Sequence, residues 1–568
     1  MKKYWIVLGI TTLLFSCESV LEKNDLDGLN EQVWEDPELA TLYLNRLYGE
    51  ILPGFGGMAS MSDETDGATT YMYGRLTTSG AGIALLNDYT KIRNLNTLFV
   101  EMDRAPDYEE KGLIEGQAYF LRAWVYFNLV KQLGGVPIVL EPQDPGQPNE
   151  LYVTRDPTAA TFEQVFADLD RAAERLPAQW PASDAGRITR GAALALKGRA
   201  LLYWASPQFN PGNDAQRWQA AYEANKQALT ELEQANHGLF PDFANLWFTE
   251  VSDGNPEAIF VKRFQRPEIT HGFEGTSRPR NLTEGSGNGN RPTWDLVQAF
   301  PMANGLPIDD PNSGYDEDYY WKNRDPRFYA TIVYNGAVWE LANAEGVQSG
   351  RQQWTYQGAE TPVNSSSTGF FNRKAVNVML TPALSKDSDM DWIEIRFAEV
   401  MMNFAEAANE VGQGEEALTQ LKRLRERAGI EPGADGNYGL AAGMSRDELF
   451  EIIVQERQVE FAFEAKRYWD LRRWRMFDRL NGTRRKGLRT TLKSGITRSQ
   501  FEAIRDTVDL DNNYTLYFED QEYNLDTQQE IAIPDSYYFD PISPSDIQKN
   551  PELEQTIGWD GGTFDPLQ

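Results

Sequence analysis

A single cysteine, Cys17, stands in a chain of 568 residues, so no disulfide within the chain can staple its fold. A chain of this length without cross-links has to be held together by what it buries. Its 41% hydrophobic and 12% aromatic residues supply material for a large core. The position of that cysteine is as informative as its solitude. Met1-Lys2-Lys3 forms a short positive head, and an apolar run over residues 4–15 leads to Ser16 and Cys17. This is the layout of a secretory signal. The run is too short for a membrane span, which needs about 20 residues. Leu14-Phe15-Ser16-Cys17 resembles a lipobox, in which the cysteine sulfur takes a diacylglycerol and becomes the new N-terminus. Residues 1–16 are therefore expected to be removed as a lipoprotein signal peptide, leaving Cys17 as a lipid anchor to the membrane.

Charge narrows the classes of partner. There are 85 acidic residues against 54 basic ones, a formal net charge of −31. This argues against nucleic acid, whose phosphates demand a basic face. It argues equally against adhesion to anionic headgroups through a polybasic patch. Glu18, Glu22, Asp25 and Asp27 follow the cysteine closely, so residues 17–35 read as an acidic, solvated tether.

Beyond the tether, apolar spacing separates three stretches of one large domain spanning 17–568. Residues 36–237 form an N-terminal helical part. Asp36-Pro37-Glu38 opens its first helix with a cap, a proline at the first helical position and an acidic first turn. Leu39, Leu42, Tyr43, Leu47 and Ile51 are expected on that helix's apolar stripe. Further helices are expected over 86–102, 109–133, 156–176, 190–205 and 214–235. Successive pairs of this length suggest a tetratricopeptide-like stack, although no clean repeat of about 34 residues is visible. Residues 238–385 are rich in Gly, Asn, Pro and Ser and read as a loop-rich lobe. Residues 386–568 return to helix, starting near Trp392, and end in a mixed tail with a polar insert over 481–526. Ser445-x-x-Glu448 is a capping box at the head of one of these helices.

Catalytic chemistry has little material. Only two histidines occur, His237 and His271, and neither H-E-x-x-H nor G-x-S-x-G is present. The glycine-rich stretch 284–290 neither follows a strand nor precedes a Lys-Ser or Lys-Thr pair, which argues against a phosphate cradle. The oxygens of stretch 306–316 suit Ca²⁺ in type, but their spacing misses the EF-hand loop. No cofactor and no catalytic residue is expected. Arg457, Glu460, Glu464, Arg467, Asp470, Arg472 and Arg473 read as a structural ion network, with pairs three or four apart placed for lateral and interhelical bridging.

Five blocks carry a family resemblance. They are Gly116 through Val130 with Gly134-Gly135-Val136-Pro137, Thr189 through Tyr203, and Arg324-Asp325-Pro326-Arg327-Phe328. The fourth joins Ile395 through Ala407 to Glu456 through Trp474, and the fifth runs from Pro541-Ile542-Ser543-Pro544 through Asn550-Pro551 to Gly558-Trp559. In these blocks and their order the chain resembles the SusD/RagB-like outer-membrane lipoproteins of Bacteroidetes. The resemblance implies a mainly α fold, a SusD-like superhelix of tetratricopeptide-like pairs with an irregular ligand lobe. It further implies an oligosaccharide ligand, a SusC-like TonB-dependent transporter as partner, and a place on the outer face of the outer membrane. It does not imply catalysis. Peptide binding on the same scaffold, a surface glycan hydrolase and a purely structural adaptor of the transporter stay open as alternatives.

Sugar capture calls for aromatic rings against pyranose C–H faces, flanked by Asp, Asn or Arg for the hydroxyls. On that chemistry Asp63, Tyr73, Tyr89, Trp321, Trp354 and Arg373 are the candidate ligand contacts. They come from loop-like segments which, by the resemblance, build the ligand face.

Overall fold

The computed structural model describes residues 32–567 apart from 56–57, 145, 148–150, 285–286, 288, 340–350 and 360–365. Cys17, the apolar run before it and most of the acidic tether lie outside the described residues. Helix α1 (Pro37–Ile51) starts as its first turn dictates. The Asp36 carboxylate accepts from the N–H groups of Glu38 and Leu39 at 2.8 and 3.4 Å, and Pro37 occupies a position whose N–H would be idle. Its buried face is Ala40, Tyr43, Leu44, Leu47 and Ile51, an i, i+3, i+4, i+7, i+11 series. Leu39 and Leu42, expected on that stripe, are 40% and 61% exposed. Small Ala40, not Leu42, sits under the neighbouring helix.

The helices that follow are α2 (Leu86–Arg104), α3 (Lys111–Leu133), α4 (Thr158–Arg175), α5 (Arg190–Ala205) and α6 (Ala215–Gln234). After the irregular lobe come α7 (Phe397–Glu410), α8 (Gly414–Ala428), α9 (Arg446–Glu460) and α10 (Arg467–Arg473). From α2 to α8 each helix packs against the next, including the step from α6 to α7 across the whole lobe. That serial packing makes the helical superhelix. Small residues set its spacing. A Cβ on Gly198 of α5 would lie 2.4 Å from Asn225 Oδ1 of α6, and Asn225 Nδ2 donates to the Gly198 carbonyl at 3.0 Å.

Strands are short and paired two by two: β1 (Ala258–Lys262) with β6 (Trp392–Arg396), β2 (Ile332–Val333) with β5 (Phe371–Asn372), β3 (Ala337–Trp339) with β4 (Arg351–Gln353), and β7 (Lys486–Leu492) with β8 (Phe518–Asn524). All four pairings are antiparallel. One of them corrects the sequence reading. Residues 392–396, expected to begin a helix, are β6, and α7 starts only at Phe397. Trp392, Ile393, Ile395 and Arg396 are all buried, and a short run buried on both faces has no period to tell strand from helix. The polar insert over 481–526 contains the antiparallel ribbon of β7 and β8, with helix α11 (Leu510–Tyr517) in the connection between the two strands.

The Arg/Glu block forms a buried lattice that ties the lobe to the helices. The Glu460 carboxylate accepts from Arg327 and Arg396 at 2.8 and 2.7 Å, and Arg427 bonds it as well. Arg327 also bridges to Asp325 and Glu456 at 2.7 Å each. Lys374 reaches Glu464 at 2.5 Å. Glu464 does not continue the helix of Glu460, as its spacing suggested. Helix α9 stops at Glu460, and positive φ at Phe463 (61°) and Ala465 (57°) turns the chain back so that Glu464 joins Arg396 at 2.8 Å. Arg327, Arg396 and Glu460 are at most 1% exposed. Burial would raise the Glu460 pKa, but three guanidinium groups hold it well below the usual carboxylate range. Charges this deep keep their fold only while fully paired.

Candidate functional site

The segment before Tyr71 is fixed at three points. Asp63 takes a bidentate bond from Arg467, at 2.9 Å from Nε and 2.7 Å from Nη2. Glu64 Oε1 accepts from the Phe463 N–H at 3.1 Å, while its carbonyl accepts from the Thr293 N–H at 3.0 Å. Arg485, itself paired with Asp526 at 2.8 Å, donates to the carbonyls of Ser60, Thr65 and Gly67 at 3.1, 2.9 and 2.9 Å. Burial works to raise the Asp63 pKa, but Arg467 overrides it and holds the carboxyl below the usual range. Glu64 has no such partner. Fully buried, with Asp63 beside it, it is pushed up to about 8, and its Oε2 has no hydrogen bond.

These anchors present Asp66 outward. Its carboxylate takes Arg291 Nη2 at 2.9 Å and Ser367 Oγ at 2.5 Å. The Tyr523 hydroxyl, from β8, donates to the Ser367 carbonyl. The Tyr523 ring lies across Gly487 of β7, where a Cβ would come within 2.9 Å of it, and the exposed Arg489 guanidinium stands 4.5 Å from the ring centre. A part-exposed ring is thus set beside a carboxylate and two guanidinium groups.

The same strand borders a cleft of about 340 Å³. Trp294, Tyr320, Tyr514 and Phe518 form its aromatic floor, the top of a buried cluster, and are themselves only 1–4% exposed. Trp294 is held in place by an N–H bond to Glu522 Oε1 at 2.7 Å, and Asp520 accepts from the Tyr514 hydroxyl at 2.9 Å. Glu317, Asp318, Glu519 and Lys493 also line the cleft, and among the described residues their charged ends have no hydrogen-bond partner. Three carboxylates and an ammonium beside aromatic rings form an arrangement for hydroxyl-rich molecules. Carboxylates accept O–H bonds, and charge-assisted bonds of this kind are the strong ones.

The six sequence candidates are placed differently. Asp63 is the part-buried clamp described above. Tyr73 is 4% exposed, with Arg75 stacked on its ring at 4.9 Å. Tyr89 is half-buried and donates through its hydroxyl to the Pro137 carbonyl at 2.6 Å. Trp321 is 2% exposed: Tyr334 stacks on it at 5.5 Å, Tyr514 meets it edge-on at 4.4 Å, and its N–H donates to Asp511 at 3.2 Å. Trp354 is 8% exposed between Phe501 and Phe518. Arg373, part-exposed, donates to the Val338 carbonyl at 2.7 Å. Trp321 and Trp354 share one aromatic core cluster with Tyr514 and Phe518, so the structure brings those two together under the cleft and spreads the other four elsewhere. Tyr523, Arg291, Glu519 and Lys493 were missed. The run Phe518-Glu519-Asp520-Gln521-Glu522-Tyr523 has no apolar alternation, so no period-two signal marked this strand.

The two histidines are structural: a ring nitrogen of His237 bonds the Pro256 carbonyl and one of His271 the Met390 carbonyl, each at 2.9 Å. Burial draws His271 down to about 4. Among the described residues no three His, Cys, Asp or Glu side chains gather as a metal site, and no helix is long and apolar enough to cross a membrane.

A serial helical superhelix carrying an irregular lobe, with an open polar–aromatic cleft beside the lobe, defines a binding-protein scaffold. The comparisons with known proteins place it further. A sequence model of the SusD family matches residues 256–559, more than half of the chain, and the chain belongs to that family. A second model, described as starch-binding and associating with the outer membrane, matches residues 83–202. The SusD-like protein P2 of Formosa agariphila is 26% identical over 378 residues, 66% of this chain and 68% of that protein. A SusD-like protein of Bacteroides fragilis superposes with a TM-score of 0.74 at 25% identity, over 93% of this chain and 98% of its own. A SusD-like carbohydrate binding protein of the same organism gives 0.73 at 24% identity, over 92% and 100%.

Proposed function

We propose that this chain is a cell-surface glycan-binding lipoprotein that captures neutral oligosaccharide and hands it to a TonB-dependent outer-membrane transporter without cleaving it. The observation that carries the reading is the unpaired carboxylates of Glu317, Asp318 and Glu519 at an aromatic-lined cleft in a SusD-family chain. Hydroxyl groups satisfy those carboxylates and the Lys493 ammonium beside them. The naming of the Bacteroides fragilis neighbour as carbohydrate binding supports the ligand class. With five carboxylates in the cleft lining against Lys493, a polyanionic glycan is repelled and a neutral one is not. Cys17 carries the lipid, and the acidic tether lets the body move as a lid over the barrel.

A glycan array probed with the purified protein tests this. Neutral oligosaccharides should bind, and sulfated ones should not. Binding confined to peptides, or release of new reducing ends from a bound glycan, would refute it. Cys17→Ala should move the protein from the membrane fraction to the soluble one when the transporter is absent.

A further inference from the structure

A different cavity, of about 210 Å³, opens against α3. Three aromatic side chains of its wall surround the Lys131 ammonium, with the ring centres of Trp469, Phe127 and Trp124 at 4.2, 5.5 and 5.9 Å from Nζ. Lys131 is 9% exposed, and among the described residues no oxygen accepts a hydrogen bond from it. The other charged groups of the wall are paired. Arg199 and Lys466 hold Glu394 and Glu399, Arg457 holds Asp470, and Arg396 holds Glu464. Lys131 is therefore the one charged group of the wall that is bonded to no opposite charge among the described residues. The indole N–H groups of Trp124 and Trp469, on the same wall, also donate to no acceptor among the described residues.

A buried ammonium without an acceptor is costly unless something else supplies one. Burial draws Lys131 down to about 7; Glu394 opposes the fall, while Arg199, Lys466 and Arg472 add to it. An arriving anion restores the charged form. The volume sets the size of the ligand. An apolar cavity of about 150 Å³ holds a benzene ring, so this one has room for a six-membered ring with substituents. The polar side chains of Asn128 and Gln132 at the part-exposed rim suit hydroxyls rather than a wholly apolar ring.

We propose that this cavity binds a small monocarboxylate of the size of a sugar acid, its carboxylate paired with Lys131 and the two indole N–H groups and its ring lying on the aromatic wall. The site is separate from the cleft along β8 and stands whether or not that cleft binds glycan.

Calorimetric titration and thermal unfolding at pH 6, with glucuronate, its methyl ester, methyl glucoside and acetate as probes, test the proposal. Glucuronate should bind and raise the melting temperature, and the two uncharged sugars should not. Lys131→Met should bind glucuronate at least about 30-fold more weakly while melting no lower than the parent without ligand, since it removes an unpaired charge. Trp469→Phe, which keeps an aromatic ring of smaller size and removes one donor, should fall between the two. Equal binding by the Lys131→Met variant, equal binding of the ester and the acid, or no binding of glucuronate to the parent protein would overturn it. Acetate binding as tightly as glucuronate would overturn the assignment of a ring-sized ligand.

Discussion

Glu64 makes the anchoring of the Asp66 loop dependent on pH, and Glu64→Gln isolates the effect. The side chain is 0% exposed, accepts one bond from the Phe463 N–H and is pushed up to about 8 by burial and by Asp63. At neutral pH it is held protonated in the folded protein and ionised in the unfolded chain, where its pKa is near 4.5. The unfolded state therefore binds fewer protons between about pH 4.5 and 8, and stability falls as pH rises through that window. At pH 7 the displacement is about 2.5 pH units, and at 1.36 kcal/mol per unit the cost is roughly 3 kcal/mol. Glutamine copies the neutral acid in shape and carries no such cost. Glu64→Gln should therefore be more stable than the parent by roughly 3 kcal/mol at pH 7, with the gap closing toward pH 4 and levelling above pH 8. Denaturant unfolding of both proteins at pH 4, 5, 6, 7 and 8 measures the gap. A variant less stable than the parent at pH 7, or a gap independent of pH, would show that Glu64 is ionised in the fold, and the reasoning would fail.

Other outcomes follow from the same geometry. Glu460→Ala strips a shared acceptor from Arg327, Arg396 and Arg427 and should cost about 3–5 kcal/mol, read as a drop in the denaturant midpoint. Trp321→Ala opens the aromatic core under the cleft and should cost about 3–5 kcal/mol. Its loss of glycan affinity should scale with unfolding, so recovery of full affinity loss in a variant that melts normally would contradict its burial. Arg485→Leu frees the carbonyls of Ser60, Thr65 and Gly67 and should raise amide exchange across 58–67 by at least about tenfold, from loss of bonds worth 1.5–3 kcal/mol each to a charged donor; unchanged exchange would remove the clamp from the account.

Helices α1, α2, α4 and α6 were legible because each buries one periodic face. Helices α3, α5 and α7, buried nearly all round, were legible by their length between clear stops. Several start and end within one or two residues of where caps and prolines put them. Packing order was not legible: nothing local to α6 says that its next neighbour is α7, some 160 residues on (397 − 234 = 163). Strand β6 was hidden because burial on both faces erases period. The ion lattice was visible as residue types, but its partners Arg327, Lys374 and Arg396 come from distant segments. For the site, composition favoured tryptophan as the sugar platform, yet tryptophan's size makes it the preferred filler of a core as well, and Trp321 and Trp354 went there. Tyr523 is exposed because Gly487 opposite it leaves room for the ring to lie flat on the ribbon, a cross-strand fact that no single segment carries.

The cleft along β8 is the proposed place of glycan capture. Calorimetric titration of a neutral oligosaccharide taken from the array should be run on the parent protein, on Lys493→Ala and on the Glu317→Ala/Glu519→Ala pair, all of them cleft-lining residues. Both variants alter exposed or part-exposed side chains and should melt as the parent does. A roughly tenfold or greater loss of affinity is expected in each. Unchanged isotherms in both variants would place the ligand elsewhere on the molecule and contradict that placement.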